Sequence, residues 1–415
     1  MNGEPLRILI YEHVSGGGFA NEPIPNSLLC EGFGMLRSVV SDFKAAGHNL
    51  TVLLDSRLSA LKVPLDSDNL IEIASKEEAE TAMEKVSDQA DAFYVIAPEQ
   101  NRILQSTVNW IERKGLLSLN CPSCGIEKAA NKANLHERAE KIGLGTPKTR
   151  LFCLLENTDK ITSAINDEIG FPVVVKPVSG SGCGGLSLVK QPSEIEAAIG
   201  KVKRDMASEC FMVQELIHGV AASVTLFSLG NKAVPVSLNQ QDVILGSPES
   251  ASNYFGGVVP LDSPLRQRAF ASAKKLVESY GDLKGYVGVD LVLTENAAFV
   301  VDINARLTTS YIGLRKVVRF NLAEALLDAV LKSKLPKDAG TLGYSCFSKV
   351  AVPTPSDVAL QKSFNIQEIV SPPFIFKDEN ETFALVESHG VTIQDAVFKL
   401  GEAQKGLQRL CRGGD

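Results

Sequence analysis

The sequence predicts an α/β fold with a parallel N-terminal sheet, followed by an α+β middle, and three observations carry that prediction. The chain has 415 residues, too many for one compact core, and so divides into two or three packed domains. Its first third alternates strand-like with helix-like stretches, the pattern that builds a parallel sheet. Beyond about residue 140, short β-rich runs follow one another as hairpins instead.

Element by element, "RILIYEH" (7–13) reads as a strand, 26–47 as a helix and "NLTVLLD" (49–55) as a second strand. A helix over 77–90, a strand over 91–98, a helix over 99–115 and a short fourth strand "LLSLN" (116–120) follow. One helix then spans 127–143, and the glycine and proline of "GLGTPKT" stop it. The middle third offers strands at 171–177, 185–190, 211–217, 223–230 and 233–239, a helix over 264–281, a further hairpin over 286–307 and a helix over 321–334. The tail is mixed: strands at 344–353, 370–376 and 382–388 lead to a last helix over 392–410.

Composition narrows the function. Hydrophobic residues make up 44% and charged residues 22%, which is ordinary for a globular protein. A net charge of -7 without a Lys/Arg block gives no reason to expect a nucleic-acid or anionic-membrane partner, so a small-molecule partner is expected. No stretch reaches the ~20 apolar residues of a spanning helix, and the N-terminus does not read as a secretory signal. Eight scattered cysteines suit a reducing, cytoplasmic setting; Cys121 and Cys124 form a C-x-x-C without the second ligand pair of a zinc site, and read as structural.

Two constellations carry chemistry. The first is "FPVVVKPVSGSGCGGLSLV" (171–189), in which Lys176 leads into a glycine-rich turn. Gly180, Gly182 and Gly185 match G-x-G-x-x-G, but a strand follows where a dinucleotide fold requires a helix N-terminus. The first-domain turn after residue 12 also lacks that fingerprint, so Asp55 is not a nicotinamide-ribose acid. What remains is a hairpin rich in unobstructed backbone N–H groups, suited either to phosphate or to a plain surface turn.

The second is "YVGVDLVLTENAAFVVDINARL" (286–307). A turn centred on Asn296 sets Asp290 opposite Asp302, with Asn304 and Arg306 on the same face as Asp302. Facing carboxylates repel unless a cation lies between them, and hard oxygen donors suit Mg²⁺ (or Mn²⁺). A solvated polar hairpin with a structural salt bridge is the plainer alternative.

Together these motifs resemble the ATP-grasp superfamily of carboxylate-amine ligases over most of the chain. The resemblance implies an ATP-grasp fold: a pre-ATP-grasp parallel α/β domain over 1–126, an ATP-grasp domain over 127–335 (small lobe about 140–214, larger lobe about 215–335) and a segment over 336–415 that completes the fold. It implies ATP contacts from Lys132 and Lys176, from the loop residues Ser179, Gly180, Ser181, Gly182, Gly184 and Gly185, and from the hinge residues Gln214, Glu215, Leu216 and Ile217. It implies a metal set of Asp290, Asp302 and Asn304, with Arg306 and Lys176 catalytic. Ala222 stands near the usual acidic ribose ligand, so no ribose residue is assigned.

A narrower likeness, in "YEHVSGGG", "EGFGML", "SLNQQ", "YFGG" and "INARLTTSYIGL", is to the branch that joins the γ-carboxylate of glutamate to tyramine in methanofuran biosynthesis. It implies an acyl-phosphate route to an amide, with ATP and a divalent cation as cofactors and small carboxylate and amine partners. Glu12, His13, Ser15, Gly16, Arg306, Thr308, Ser310 and Tyr311 are then the substrate-side candidates, while His136, His48 and His389 read as ordinary helix or surface histidines. A homodimer is common in the superfamily. A ligase for another amino acid and amine, a regulatory protein that binds ATP without turnover, and a biotin-dependent carboxylase component are the rival readings.

Overall fold

The computed structural model describes residues 4–180, 182–205, 209–337, 340–376 and 381–413. The chain opens with β1 (Arg7–Glu12), α1 (Asn26–Ala45), β2 (Asn49–Asp55), α2 (Ser56–Ala60), β3 (Asn69–Ile73), α3 (Lys76–Ser87) and β4 (Ala92–Ile96). These strands pair in parallel in the order β3-β2-β1-β4, so the order reverses between β1 and β4. A crevice at the carboxyl ends of such a pair is where open α/β sheets hold ligands.

Two sequence expectations need correction here. "LLSLN" makes only a single bridge, Ser118 to Phe93, and the fourth strand is β3. β3 escaped notice because it is an exposed edge, with only Ile73 buried, so it lacks the apolar run of a central strand. The connection onward consists of α4 (Ile103–Arg113), α5 (Ser123–Ala130) and α6 (Lys132–Lys141). The single helix expected over 127–143 is therefore broken: Asn131 leaves helical geometry and caps α6, its side chain accepting from the N–H groups of Ala133 and Asn134.

A small lobe follows, made of β5 (Thr149–Cys153), α7 (Thr158–Glu168), β6 (Val173–Pro177), β7 (Ser187–Val189), α8 (Ile195–Asp205) and β8 (Cys210–Glu215). Its antiparallel sheet has the order β5-β8-β6-β7, and its own core gathers Phe152, Ile165, Val175, Ile199, Phe211 and Val213.

The remainder is β9 (Val220–Leu229), β10 (Ala233–Ile244), β11 (Asn253–Val259), α9 (Arg266–Tyr280), β12 (Lys284–Leu293), β13 (Ala298–Asn304), α10 (Tyr311–Val317), α11 (Leu322–Lys332), β14 (Tyr344–Pro353), α12 (Asp357–Ser363), β15 (Ile369–Ser371), β16 (Glu381–Gly390) and α13 (Ile393–Cys411). Eight of these strands form one antiparallel sheet, β13-β12-β9-β10-β11-β14-β16-β15, so the C-terminal segment extends the sheet that starts in the middle third. The strand expected over 370–376 is only the short β15.

The N-terminal sheet and this large sheet share their interiors. One cluster joins Ile8, Leu29 and Phe33 to Phe227, Leu314 and Phe347, and a second joins Leu53 and Phe93 to Val224, Val289 and Ile303. Tyr311 and Arg315 of α10 add a polar clamp, both bonded to Asp42 of α1 at 2.5–2.9 Å. Among the described residues no helix is long and apolar enough to cross a membrane.

Candidate active site

The glycine-rich stretch is the turn of an antiparallel hairpin, with Val173 paired to Val189 and Val175 to Ser187. Gly180, Gly182 and Gly185 have φ of 138°, 66° and 68°, a region open to glycine and costly to residues with a Cβ. Ser181 lies outside the described residues; Ser179 and Gly184 belong to the same turn.

Lys176, on β6 at the base of the turn, is buried and donates to the Val301 carbonyl at 3.2 Å. That carbonyl is free because β13 bulges there: Asp290 pairs with Asp302 and Leu291 with Val300, which leaves Val301 unpaired. Burial lowers the Lys176 ammonium to about 8, with Asp302 working against the shift.

Lys132, first residue of α6, ties three parts together. Its backbone N–H donates to Val178 of the small lobe at 3.0 Å, and its ammonium pairs with Asp302 of the large sheet. Asp290 does sit opposite Asp302, as the spacing predicts. The two carboxylates nonetheless differ. Burial and the neighbouring Asp302 raise Asp290 to about 6; burial also works on Asp302, but Lys132 and Lys176 outweigh it and hold Asp302 below the usual carboxylate range.

Asn304 bridges Asp290 and Arg306, its amide N–H donating to Asp290 Oδ2 at 3.0 Å and its Oδ1 accepting from Arg306 Nη2 at 3.0 Å. Two partners absent from the sequence reading complete the chain. Gln241 of β10 donates to the other Asp290 oxygen at 3.0 Å, and Glu99 accepts from Arg306 Nε at 3.1 Å. Glu99 follows β4 at the crevice where the N-terminal strand order reverses, is almost fully buried, and keeps its Oε1 without a partner. Its position just after the strand at which the sheet order reverses was the available signal.

The donor set suits a hard cation. Among the described residues no group of three His, Cys, Asp or Glu gathers in one place, but Asp290, Asp302 and Asn304 offer two carboxylates and an amide oxygen. Such a partial shell fits an ion that takes its remaining ligands from phosphates and water, as Mg²⁺ does.

At the lobe junction, Gln214 donates to His136 Nε2 and to Thr149 Oγ1, both at 2.7 Å. His136 is thus not an ordinary surface histidine: it is buried, also bonded to Thr146, and burial beside Lys176 lowers it to about 3, so it stays neutral. Lys148 N–H donates to a Glu215 oxygen at 3.3 Å, and Leu216 and Ile217 form the extended link to β9. His48 and His389 lie away from this centre; Ala222 is buried in β9 between Gln240 and Leu291.

The substrate-side candidates divide. Thr308 and Ser310 bond each other at 2.8 Å, and Thr308 reaches the Tyr286 hydroxyl at 3.1 Å, next to Arg306 in the chain. Tyr311 instead points to Asp42 and joins the domain clamp. Glu12 is turned inward, its carboxylate accepting from Val14 N–H at 3.0 Å and from Ser15 N–H and Oγ at 2.6 Å, so this turn closes on itself. Gly16 N–H bonds Glu12 O, and His13 contacts the Tyr11 hydroxyl at 3.1 Å, lowered to about 4 by burial.

Comparison with known proteins agrees with this geometry. Residues 129–310 match the model of an ATP-grasp domain and 48–126 that of a pre-ATP-grasp domain. The tyramine–L-glutamate ligase of Methanocaldococcus jannaschii is 28% identical over 327 residues, 77% of this chain and 88% of that protein. Biotin carboxylase from Campylobacter jejuni superposes with a TM-score of 0.72 at 15% identity, covering 96% of this chain and 90% of its own. L-amino acid ligase from Bacillus licheniformis gives 0.67 at 15%, covering 98% of each.

Proposed function

From a chain that belongs to the ATP-grasp superfamily, we propose a ligase that spends ATP to join the γ-carboxylate of glutamate to the amine of tyramine. The convergence of Lys132, Lys176, Asp302 and the Asp290–Asn304–Arg306–Glu99 chain on one cleft is the observation that carries the ligase reading. The likeness to the M. jannaschii enzyme supports the choice of substrates.

In the first step a carboxylate oxygen attacks the γ-phosphorus of ATP, ADP leaves, and an acyl phosphate forms. Lys132 and Lys176 would neutralise phosphate charge, and positioning carries most of such a transfer. Asp290, Asp302 and Asn304 would hold a divalent cation, which supplies charge neutralisation along the polyphosphate. In the second step the amine nitrogen attacks the acyl carbon, the C–O bond to phosphate breaks, and the nitrogen loses a proton. Arg306, oriented by Glu99 and Asn304, would stabilise the oxyanion of that attack. The glycine-rich turn that follows Lys176 would exclude water from the acyl phosphate.

The test is ADP release from ATP and Mg²⁺ with glutamate, tyramine, both, and a panel of other amino acids and amines. The proposal expects release that needs both substrates, with a γ-glutamyltyramine mass in the product. Turnover with a different pair only would remove the substrate assignment, and release independent of any amine would remove the ligase reading.

A further inference from the structure

Two stretches set apart in the sequence, "EGFGML" and "YFGG", took no part in the nucleotide chemistry, yet Glu31 of the first and Tyr254 of the second line the same cavity. It encloses about 390 Å³, within the range of small-ligand sites. Its roof is the glycine-rich turn at Gly182, Cys183 and Gly184, and its floor carries Lys349 of β14. Lys349 is buried, with only 7% of its side chain exposed, and donates to Glu31 at 2.6 Å and to Ser27 Oγ at 2.7 Å.

The cavity's charges cancel. Glu31, Asp205 and Glu249 stand against Lys201, Arg204 and Lys349, three of each sign, so the site favours a neutral or zwitterionic ligand over one with net charge. Lys201 is committed to the fold, its ammonium holding the carbonyls of Leu186 at 2.8 Å and Ser250 at 2.7 Å. The Glu31–Lys349 pair differs because it faces the cavity from opposite elements, α1 and β14, and presents a negative and a positive group side by side. A ligand edge with an ammonium beside a carboxylate is its complement.

The cavity also borders strands that reach the reacting centre: Tyr254 of β11 pairs with Val243 of β10, two residues from Gln241, which donates to Asp290. The Tyr254 hydroxyl is held well above its usual range by burial first, and then by the carboxylates of Glu31, Asp290 and Asp242. Cys183 in the roof is pushed up to about 11 by burial first and by Glu31, with Lys349 working against the shift.

We infer that this cavity is the amino-acid subsite, in which Glu31 holds the α-ammonium and Lys349 the α-carboxylate of a substrate whose side-chain carboxylate extends past Tyr254 to be phosphorylated. The inference rests on the ligase reading and deepens it. It gives the C-terminal segment a task, since Lys349 comes from it.

The experiment measures ADP release at saturating ATP, Mg²⁺ and amine while varying L-glutamate, glutarate (no α-ammonium) and 4-aminobutyrate (no α-carboxylate). Wild type should favour glutamate over either analogue by about 10²-fold or more in kcat/KM, since each leaves one buried charge unmatched. Removing one charge alone risks the fold, so the key variant exchanges them, Glu31→Lys with Lys349→Glu, keeping the pair but reversing the edge. It should melt near the wild-type temperature, keep its KM for ATP and raise the KM for glutamate about 100-fold. An unchanged KM for glutamate, or equal use of glutarate by wild type, overturns the inference. If another α-amino acid is the acid used, the same variant is read against that one, and a raised or unchanged KM decides in the same way. If nothing turns over, the ligase reading fails, and saturation-transfer NMR with the common amino acids takes over: a signal lost in the exchange variant supports the subsite, while equal signals, or none with wild type, overturn it.

Discussion

The small lobe and the large sheet divide the work differently. The small lobe keeps a private core around Ile165 and Val213 and gives the centre one buried lysine and a turn of glycines. The large sheet shares its interior with the N-terminal sheet and carries a continuous set of bonded side chains, from Gln241 through Asp290, Asn304 and Arg306 to Glu99. The lesson is one of rigidity. Groups that must keep a fixed geometry are braced by two domains, whereas the turn proposed to cover the nucleotide sits on a body with a separate core, joined to the rest by polar contacts: Lys132, the link at residues 216–218, Lys176 to Val301, Gln214 to His136, and the bonds of Leu188, Lys201 and Leu186 to residues 246–252.

The strongest way to break this comparison is to cut the braced side. Arg306→Met should lower kcat by about 10²–10³-fold with little change in the KM for ATP, as expected of a group that acts on the developing oxyanion; steady-state kinetics checks it. A core cavity in each body comes next. Ile165→Ala should cost about 2–5 kcal/mol within the small lobe, raising the KM for ATP and separating an early calorimetric transition. Leu314→Ala, in the shared core, should lower the main transition instead. One merged transition in both variants would argue against separate bodies.

Acid titration sharpens the account further. Asp290 sits at about 6 in the folded protein, raised by burial first and by Asp302 above the usual carboxylate range, so its raised proton affinity stabilises the fold at the acid end and that contribution is lost as pH rises through about 6. A cation must displace that proton, so Mg²⁺-dependent ADP binding should weaken about tenfold per unit as pH falls below about 6. Asp290→Asn should remove that dependence in calorimetric titration. On the alkaline side, kcat/KM for ATP should fall as pH rises through about 8, where Lys176 loses its charge, and Lys176→Arg should abolish that limb. The smallest effect belongs to Glu99→Gln, which keeps one acceptor for Arg306 but loses its charge: about a tenfold loss in kcat/KM with the melting temperature nearly unchanged.

Local patterns in the sequence carry much of the site. The register of one hairpin set Asp290 against Asp302, and the strand after Gly185 excluded a dinucleotide turn, because both depend only on residues close in the chain. Partners made by packing stayed hidden. Glu99 meets Arg306 across 207 residues, Gln214 meets His136 across 78, and the Val301 bulge that frees a carbonyl for Lys176 leaves no compositional trace. Glu12 shows the converse: its type suggested substrate contact, but a carboxylate within three residues of two N–H groups and a serine hydroxyl caps its own turn.

The most direct test of the central claim follows the oxygen. Glutamate whose γ-carboxylate carries heavy oxygen is turned over with ATP and tyramine, and the released phosphate is weighed by mass spectrometry. An acyl-phosphate route places one labelled oxygen in inorganic phosphate for each amide formed, with ADP as the nucleotide product. Label in AMP with pyrophosphate released, or unlabelled phosphate alongside amide, would contradict the chemistry assigned to this cleft.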